Sequence, residues 1–276
     1  GDAPAGPVQE MNYRLTHIPA RSSKPRESGL TMVMDKGLSM RQAEDLIDAS
    51  GPLVDMVKLG FGTSYVTPKL KEKIKLYQKA DMRVYLGGTL FEAFIARGMF
   101  KDYRKLITDL GLECAEVSDG SINLPHAEKC KYINTLARDI TVLSEVGSKE
   151  SGILISPAKW VGMMNLELDA GSWKVIAEAR ESGTVGIYRP SGHAHTTLVH
   201  RIVAKVPKED IIWEAPLKTQ QTWFIKQLGP NVNLGNIPPE EVIPLETLRL
   251  GLRGDTFFDH LPEEVVAKLK QVNESE

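Results

Sequence analysis

The chain has 276 residues, a size that suits one α/β barrel, with 42% hydrophobic and 25% charged residues and a formal net charge of -2. That balance excludes a strongly basic nucleic-acid binder, and no apolar run approaches the roughly 18 residues needed to cross a bilayer, so neither nucleic acid nor membrane is an expected partner. Two cysteines, Cys114 and Cys130, with no CxxC, point to reduced thiols and a cytoplasmic location rather than a disulfide framework or a thiolate metal site.

Residues 1–28 carry four prolines and many charges and read as an N-terminal extension; the opening Gly1–Pro7 lacks the basic and apolar regions of a signal peptide. From Gly29 short apolar runs alternate with amphipathic segments of helical length. The expected strands are Leu30–Asp35, Asp55–Gly60, Arg83–Gly87, Cys114–Ser118, Ile140–Val146, Lys174–Ala179, Ile211–Glu214 and Val232–Leu234. Most are short, rich in Val, Ile and Leu, and bounded by Gly or Pro, as buried parallel strands should be. Between them, Ser39–Gln42 is a capping box and Gly51 a helix stop. Thr67–Pro68 reads as an N-cap followed by proline ahead of Leu70, Ile74 and Tyr77 on one face, and Gly111 and Gly171 end two more helices. Eight strand–helix units make a single (β/α)8 barrel over residues 29–262 the expected fold, an open doubly wound sheet the second choice, and 263–276 a C-terminal helix and tail.

In such a barrel chemistry sits at the carboxyl ends of the strands, and these ends are crowded with polar groups: Asp35–Lys36–Gly37, Lys58, Gly87–Gly88–Thr89, Glu116 and Ser118, Glu145, Glu178 with Arg180, Glu214, and Asn233–Asn236. An unpaired buried carboxylate is costly, so a ring of them implies pairing, metal or substrate. Glu116, Glu145 and Glu178 on successive strands suit a hard cation such as Mg2+; the rival is a salt-bridge ring with Lys58 and Arg180. Lys36, Lys58, Lys149, Arg180 and Arg253 would converge on an anionic substrate, with Asn233, Gly235 and Arg253 in the place near the last strands where phosphate commonly binds. Thr89 and Ser118 are further candidates for substrate contact. Arg249 reads as a surface or helix-end charge. His193, His195 and His200 have zinc-like spacing but fall in a loop running into a helix, where solvated histidines are the default. Trp213, Trp223 and Phe224 read as packing residues.

Asp35-Lys-Gly, Val57-Lys-Leu-Gly-Phe-Gly-Thr63, Tyr85-Leu-Gly-Gly-Thr-Leu-Phe-Glu92, Glu116-Val-Ser-Asp-Gly120, Ser144-Glu-Val-Gly147, Ala179-Arg-Glu-Ser-Gly183, Glu214-Ala-Pro216, Asn231-Val-Asn-Leu-Gly-Asn236 and Leu245–Phe257, in this order over residues 28–258, resemble the phosphosulfolactate synthase family. The resemblance implies a (β/α)8 barrel that adds sulfite to phosphoenolpyruvate with Mg2+, giving (2R)-2-O-phospho-3-sulfolactate. It also places Lys149 at the family's proposed proton-donor position, preceded here by Ser148 where archaeal members can carry a second lysine. Asp35 is a further catalytic candidate as a water-mediated metal ligand. A Schiff-base aldolase using Lys58 or Lys149, a barrel using another nucleophile on phosphoenolpyruvate, and a non-catalytic stress-related barrel are the competing readings. Such barrels associate through their outer helices, so a homo-oligomer is an expectation without a visible interface.

Overall fold

A computed structural model describes residues 7–147, 155–179, 183 and 186–270. Eight parallel strands, β1 (Thr31–Asp35), β2 (Met56–Leu59), β3 (Arg83–Leu86), β4 (Cys114–Val117), β5 (Thr141–Val146), β6 (Lys174–Ala177), β7 (Ile211–Glu214) and β8 (Leu234–Ile237), form one sheet in the order β3-β2-β1-β8-β7-β6-β5-β4. β3 and β4 lie side by side and complete the ring. Helices α1 (Met40–Ser50), α2 (Leu70–Lys79), α3 (Gly88–Ala96), α4 (Phe100–Asp109), α5 (His126–Ala137), α6 (Pro157–Ala170), α7 (Thr196–Val203), α8 (Lys218–Leu228) and α9 (Val242–Arg249) form the outer layer, and α10 (Glu263–Leu269) follows. The architecture is the expected (β/α)8 barrel.

Strand alternation sorts side chains between two cores. Val33, Val57, Val84, Ala115, Val142, Val175 and Trp213 face outward into a core shared with the helices. Met32, Met56, Tyr85, Leu143, Ile176 and Ile212 face inward and fill the barrel. The next inward position up each strand is where the apolar layer stops and the polar residues begin.

Local signals explain the helix ends. Ser39 and Gln42 form the capping box at α1, with Gly51 as its C-cap. Gly171 caps α6 at a φ of 123°, a conformation that favours glycine. The expected start of α2 is corrected: Thr67 spends its hydroxyl on the Thr63 carbonyl and Lys69 takes a left-handed φ of 55°, so the helix begins at Leu70. The eighth strand is also displaced, to Leu234–Ile237, because its register against β1 shifts between Thr31 and Val33 and Asn236 adopts a φ of 57°.

The amino-terminal mouth is closed by residues from the extension. Arg21 donates to Glu246, to Asn231 Oδ1 and to the Gly29 carbonyl. Arg26 pairs with Asp55 at 2.9 Å. Arg249 is not the surface charge expected: it is fully buried and donates to the carbonyls of Pro230, Val232 and Leu30 and to Thr31 Oγ1. Burial and the neighbouring Arg21 pull its guanidinium below its usual range, with Glu246 opposing. Arg249→Met would strand those carbonyls and leave Glu246 one cation short, so it should cost about 3 kcal/mol of stability in urea unfolding. Being at the end opposite the polar layer, it should leave turnover of the folded protein close to normal.

Candidate active site

At the carboxyl ends of the strands, a pocket of about 230 Å3 opens over the apolar barrel interior. Its base is a ring of inward side chains: Met34, Lys58, Glu116, Glu145, Glu178, Glu214 and Asn236. Lys58, on β2, is the only cation among the described residues lining it. Its ammonium lies 3.1 Å from Glu116 Oε1, 3.6 Å from Glu145 Oε2 and 3.3 Å from Glu214 Oε2. Burial alone would lower the Lys58 pKa, but the three carboxylates hold it well above the ordinary lysine range. Lys58 is therefore a fixed positive charge.

The carboxylates are held from behind by backbone. Gly88 N–H donates to Glu116 Oε1 at 2.7 Å, and Ala179 N–H donates to Glu214 Oε1 at 2.8 Å. Gly88 must be glycine for this contact, since a β-carbon there would fall 2.2 Å from Ser118 Oγ and 2.8 Å from Glu116 Oε1. Gly147 is equally constrained, because a β-carbon would sit 2.1 Å from Glu178 Oε2. Four carboxylates around one lysine leave an excess of negative charge, and the site answers by holding protons. Burial and the charges of Glu145 and Glu214 push Glu178 up to about 10, and Glu178 shares a hydrogen bond with Glu145. Burial raises Glu214 to about 8 against the pull of Lys58, and burial also raises Glu145.

Glu116 Oε2 is buried with no hydrogen-bond partner among the described residues, as are Asn236 Oδ1 and, beneath the ring, Tyr85 Oη. Surplus carboxylates, an orphaned oxygen and an all-oxygen donor set fit a hard divalent cation such as Mg2+. As it stands, however, the ring is closed on Lys58, and among the described residues no group of three or more acidic, histidine or cysteine side chains is drawn together as a metal centre.

Of the residues singled out in the sequence, Lys58, Thr89, Glu116, Glu145 and Glu178 line the pocket. Lys36 is exposed just past the end of β1, beside Gly60, and is not among the residues lining the pocket. Lys149 and Arg180, like Ser148, lie outside the described residues. Five others stand elsewhere. Asp35 points outward, fully buried, and accepts from Gly37 N, Leu38 N, Tyr77 Oη and Lys73 Nζ, so it has no capacity left for a metal-bound water. Ser118 faces inward but sits behind Gly88 and donates to Glu92. Asn233 precedes β8 at the opposite end of the barrel, where it joins Leu30 N to the Glu209 and Ile211 carbonyls. Gly235 is inside β8, packed on Met32 and Ile212. Arg253 caps the turn Gly254–Thr256, which packs on α8 and α9 outside the barrel. No phosphate site forms from these last three.

Three further residues shape the site in ways that local spacing does not reveal. Glu214 was visible as a strand-end carboxylate, and its spacing from Lys58 was not. Glu92, from α3, accepts from Ser118, Ser121 N and Ile122 N and so shapes the loop after β4 that walls the pocket. Asn236 enters through the irregularity in β8, and its amide donates to the Ala179 carbonyl.

Comparison with known proteins follows the same outline. The family model described as (2R)-phospho-3-sulfolactate synthase matches residues 19–255. A phosphosulfolactate synthase of Methanothermobacter thermautotrophicus is 43% identical over 87% of this chain and 95% of its own. The enzyme of that name from Bacillus subtilis is 41% identical over 90% of this chain and 100% of its own. Among solved structures, 3-hexulose-6-phosphate synthase from Salmonella typhimurium superposes with a TM-score of 0.53 at 15% identity, covering 81% of this chain and 100% of that one, a likeness of fold alone.

Proposed function

The chain belongs to the phosphosulfolactate synthase family, enzymes of the carbon–sulfur lyase class, and from that premise we propose that its pocket joins sulfite to phosphoenolpyruvate with the help of Mg2+. The observation that carries the reading is the ring of Glu116, Glu145, Glu178 and Glu214 around Lys58, set at the carboxyl ends of the strands where such barrels do their chemistry.

In the proposed reaction sulfite sulfur forms a bond to C3 of phosphoenolpyruvate. The electron pair of the C2–C3 double bond moves onto the substrate carboxylate, and C2 then takes a proton. Glu116, Glu145 and Glu178 would hold Mg2+, which when bound would stabilise negative charge on that carboxylate. Lys58, permanently charged, keeps the carboxylate ring from repelling two anionic substrates and orients them through its field. Lys36, just past the end of β1, and Arg180 would share the anion binding, and Thr89 offers a hydroxyl at the pocket wall. By the family resemblance, Lys149 delivers the proton to C2. The apolar layer of Met32, Leu143, Ile176 and Ile212 beneath the ring excludes water from below and lowers the local dielectric.

A Schiff-base aldolase mechanism through Lys58 fits poorly, because that chemistry needs a neutral amine and three carboxylates hold this one charged. The test is sulfite-dependent consumption of phosphoenolpyruvate by the purified protein with Mg2+ and then with EDTA. An acid carrying both phosphate and sulfonate should form, and EDTA should abolish it. Folded protein that consumes no phosphoenolpyruvate under these conditions would rule the proposal out.

A further inference from the structure

Outside the barrel, behind β4 and β5, lies a cluster of charged groups that no step above uses. Lys129, on α5, is 1% exposed, a rare state for a lysine. Its ammonium donates to the Glu145 carbonyl and to Asp119 Oδ1 at 3.2 Å, and it pairs with Glu167 Oε2 at 3.1 Å. Glu167, on α6, is fully buried and also meets His126 Nε2 at 2.9 Å. All three N–H groups of this ammonium are thus committed.

The placement explains the commitment. The last pair in the β4–β5 ladder is Val117 with Ser144. Beyond it β4 gives way to the loop through Asp119, while β5 runs on through Glu145 and Val146. The β5 carbonyl one residue past that pair, on Glu145, is taken by Lys129, which also grips the departing loop at Asp119. One side chain therefore clips together the two strand ends from which Glu116 and Glu145 project into the pocket.

We infer that Lys129 is a positioning residue: it fixes the spacing of Glu116 and Glu145 and thereby sets how tightly the ring holds a divalent cation. The inference rests on the proposed reading of that ring as a metal-binding site. Residues that orient ligands from behind are worth about 10- to 100-fold in metal affinity or activity.

Mn2+ serves as the probe, with binding followed by electron paramagnetic resonance, turnover at low and high Mn2+, and thermal melting. Lys129→Met should weaken Mn2+ binding at least about tenfold and lower turnover comparably at low Mn2+, with excess Mn2+ restoring most of it. Lys174→Met is the control. Lys174 is a buried lysine at the opposite end of the barrel, where it binds the Glu27 and Glu209 carbonyls. Its loss should lower the melting temperature while leaving Mn2+ affinity within about threefold of the parent, as for a distant independent site. Should Lys129→Met not fold, Asp119→Asn is read in the same way, since it weakens one leg of the clip at a half-buried residue and leaves the Lys129 pairing with Glu167 in place. Normal Mn2+ affinity in the folded clip variant, or an equal loss in Lys174→Met, overturns the inference. An unaltered protein that neither binds Mn2+ nor consumes phosphoenolpyruvate overturns the reading of the pocket and this inference with it. That result is told apart because the failure is already present before any substitution.

Discussion

Replacing Lys149 by alanine should lower turnover at least about a hundredfold, the usual scale for loss of a general acid, with a much smaller effect on the Michaelis constants. The proposed addition builds negative charge on the substrate carboxylate before C2 is protonated, so a misplaced or missing acid stalls the reaction after the carbon–sulfur bond has formed. The intermediate then reverts, expelling sulfite. The carboxylates of the ring offer a poor substitute. Glu178, held protonated by burial and by Glu145 and Glu214, is already engaged with Glu145. Near-normal turnover in Lys149→Ala would remove the lysine from the mechanism. The measurement is single-turnover phosphoenolpyruvate consumption with and without the substitution.

The residues that were legible in the sequence share one property: their surroundings are set by their own strand. Val, Ile and Leu runs bounded by Gly gave seven strands within a few residues, and period-two spacing placed Glu116 on one face with Ser118. Where the outcome depended on a distant segment, spacing was silent. Thr31–Asp35 is apolar at its three central positions, so nothing local says that Met32 and Met34 face inward and Asp35 outward; the Lys73 and Tyr77 of α2 decide it. Val232-Asn-Leu-Gly-Asn-Ile237 breaks strict alternation, since its apolar residues stand two and then three apart. The apolar pattern therefore places the strand two residues early, which puts Asn233 near its end when it stands before it. Arg249 reads as a helix-end charge because Leu30 and Thr31, which it meets in the fold, and the neighbouring Arg21 come from the other end of the chain. Glu214 was seen as a carboxylate but not as a partner of Lys58, which lies 156 residues away.

The Lys58→Met variant should show the second large effect, a fall of at least about a hundredfold in kcat/KM for phosphoenolpyruvate, the scale on which preorganised charge contributes to such reactions. Its more telling signature is in stability, measured in EDTA as a function of pH. Glu178 and Glu214 already have folded-state pKa values of about 10 and about 8, above the carboxylate values they would have in the unfolded chain. A raised carboxylate costs nothing while both states are protonated, and its penalty grows as pH rises from the unfolded value toward the folded one. Lys58 is the force opposing that rise at Glu145, Glu178 and Glu214. Without it their folded values climb further, so the penalty in the variant should be small near pH 5 and increase toward pH 8. The gap in melting temperature between parent and variant should widen over that range. Adding Mg2+ should narrow it at pH 8, because a dication in the ring would supply the charge that the ammonium no longer does. A gap that stays constant with pH would mean that Lys58 acts mainly through packing of its alkyl chain. A gap that Mg2+ leaves untouched would remove the carboxylate ring from consideration as the metal site.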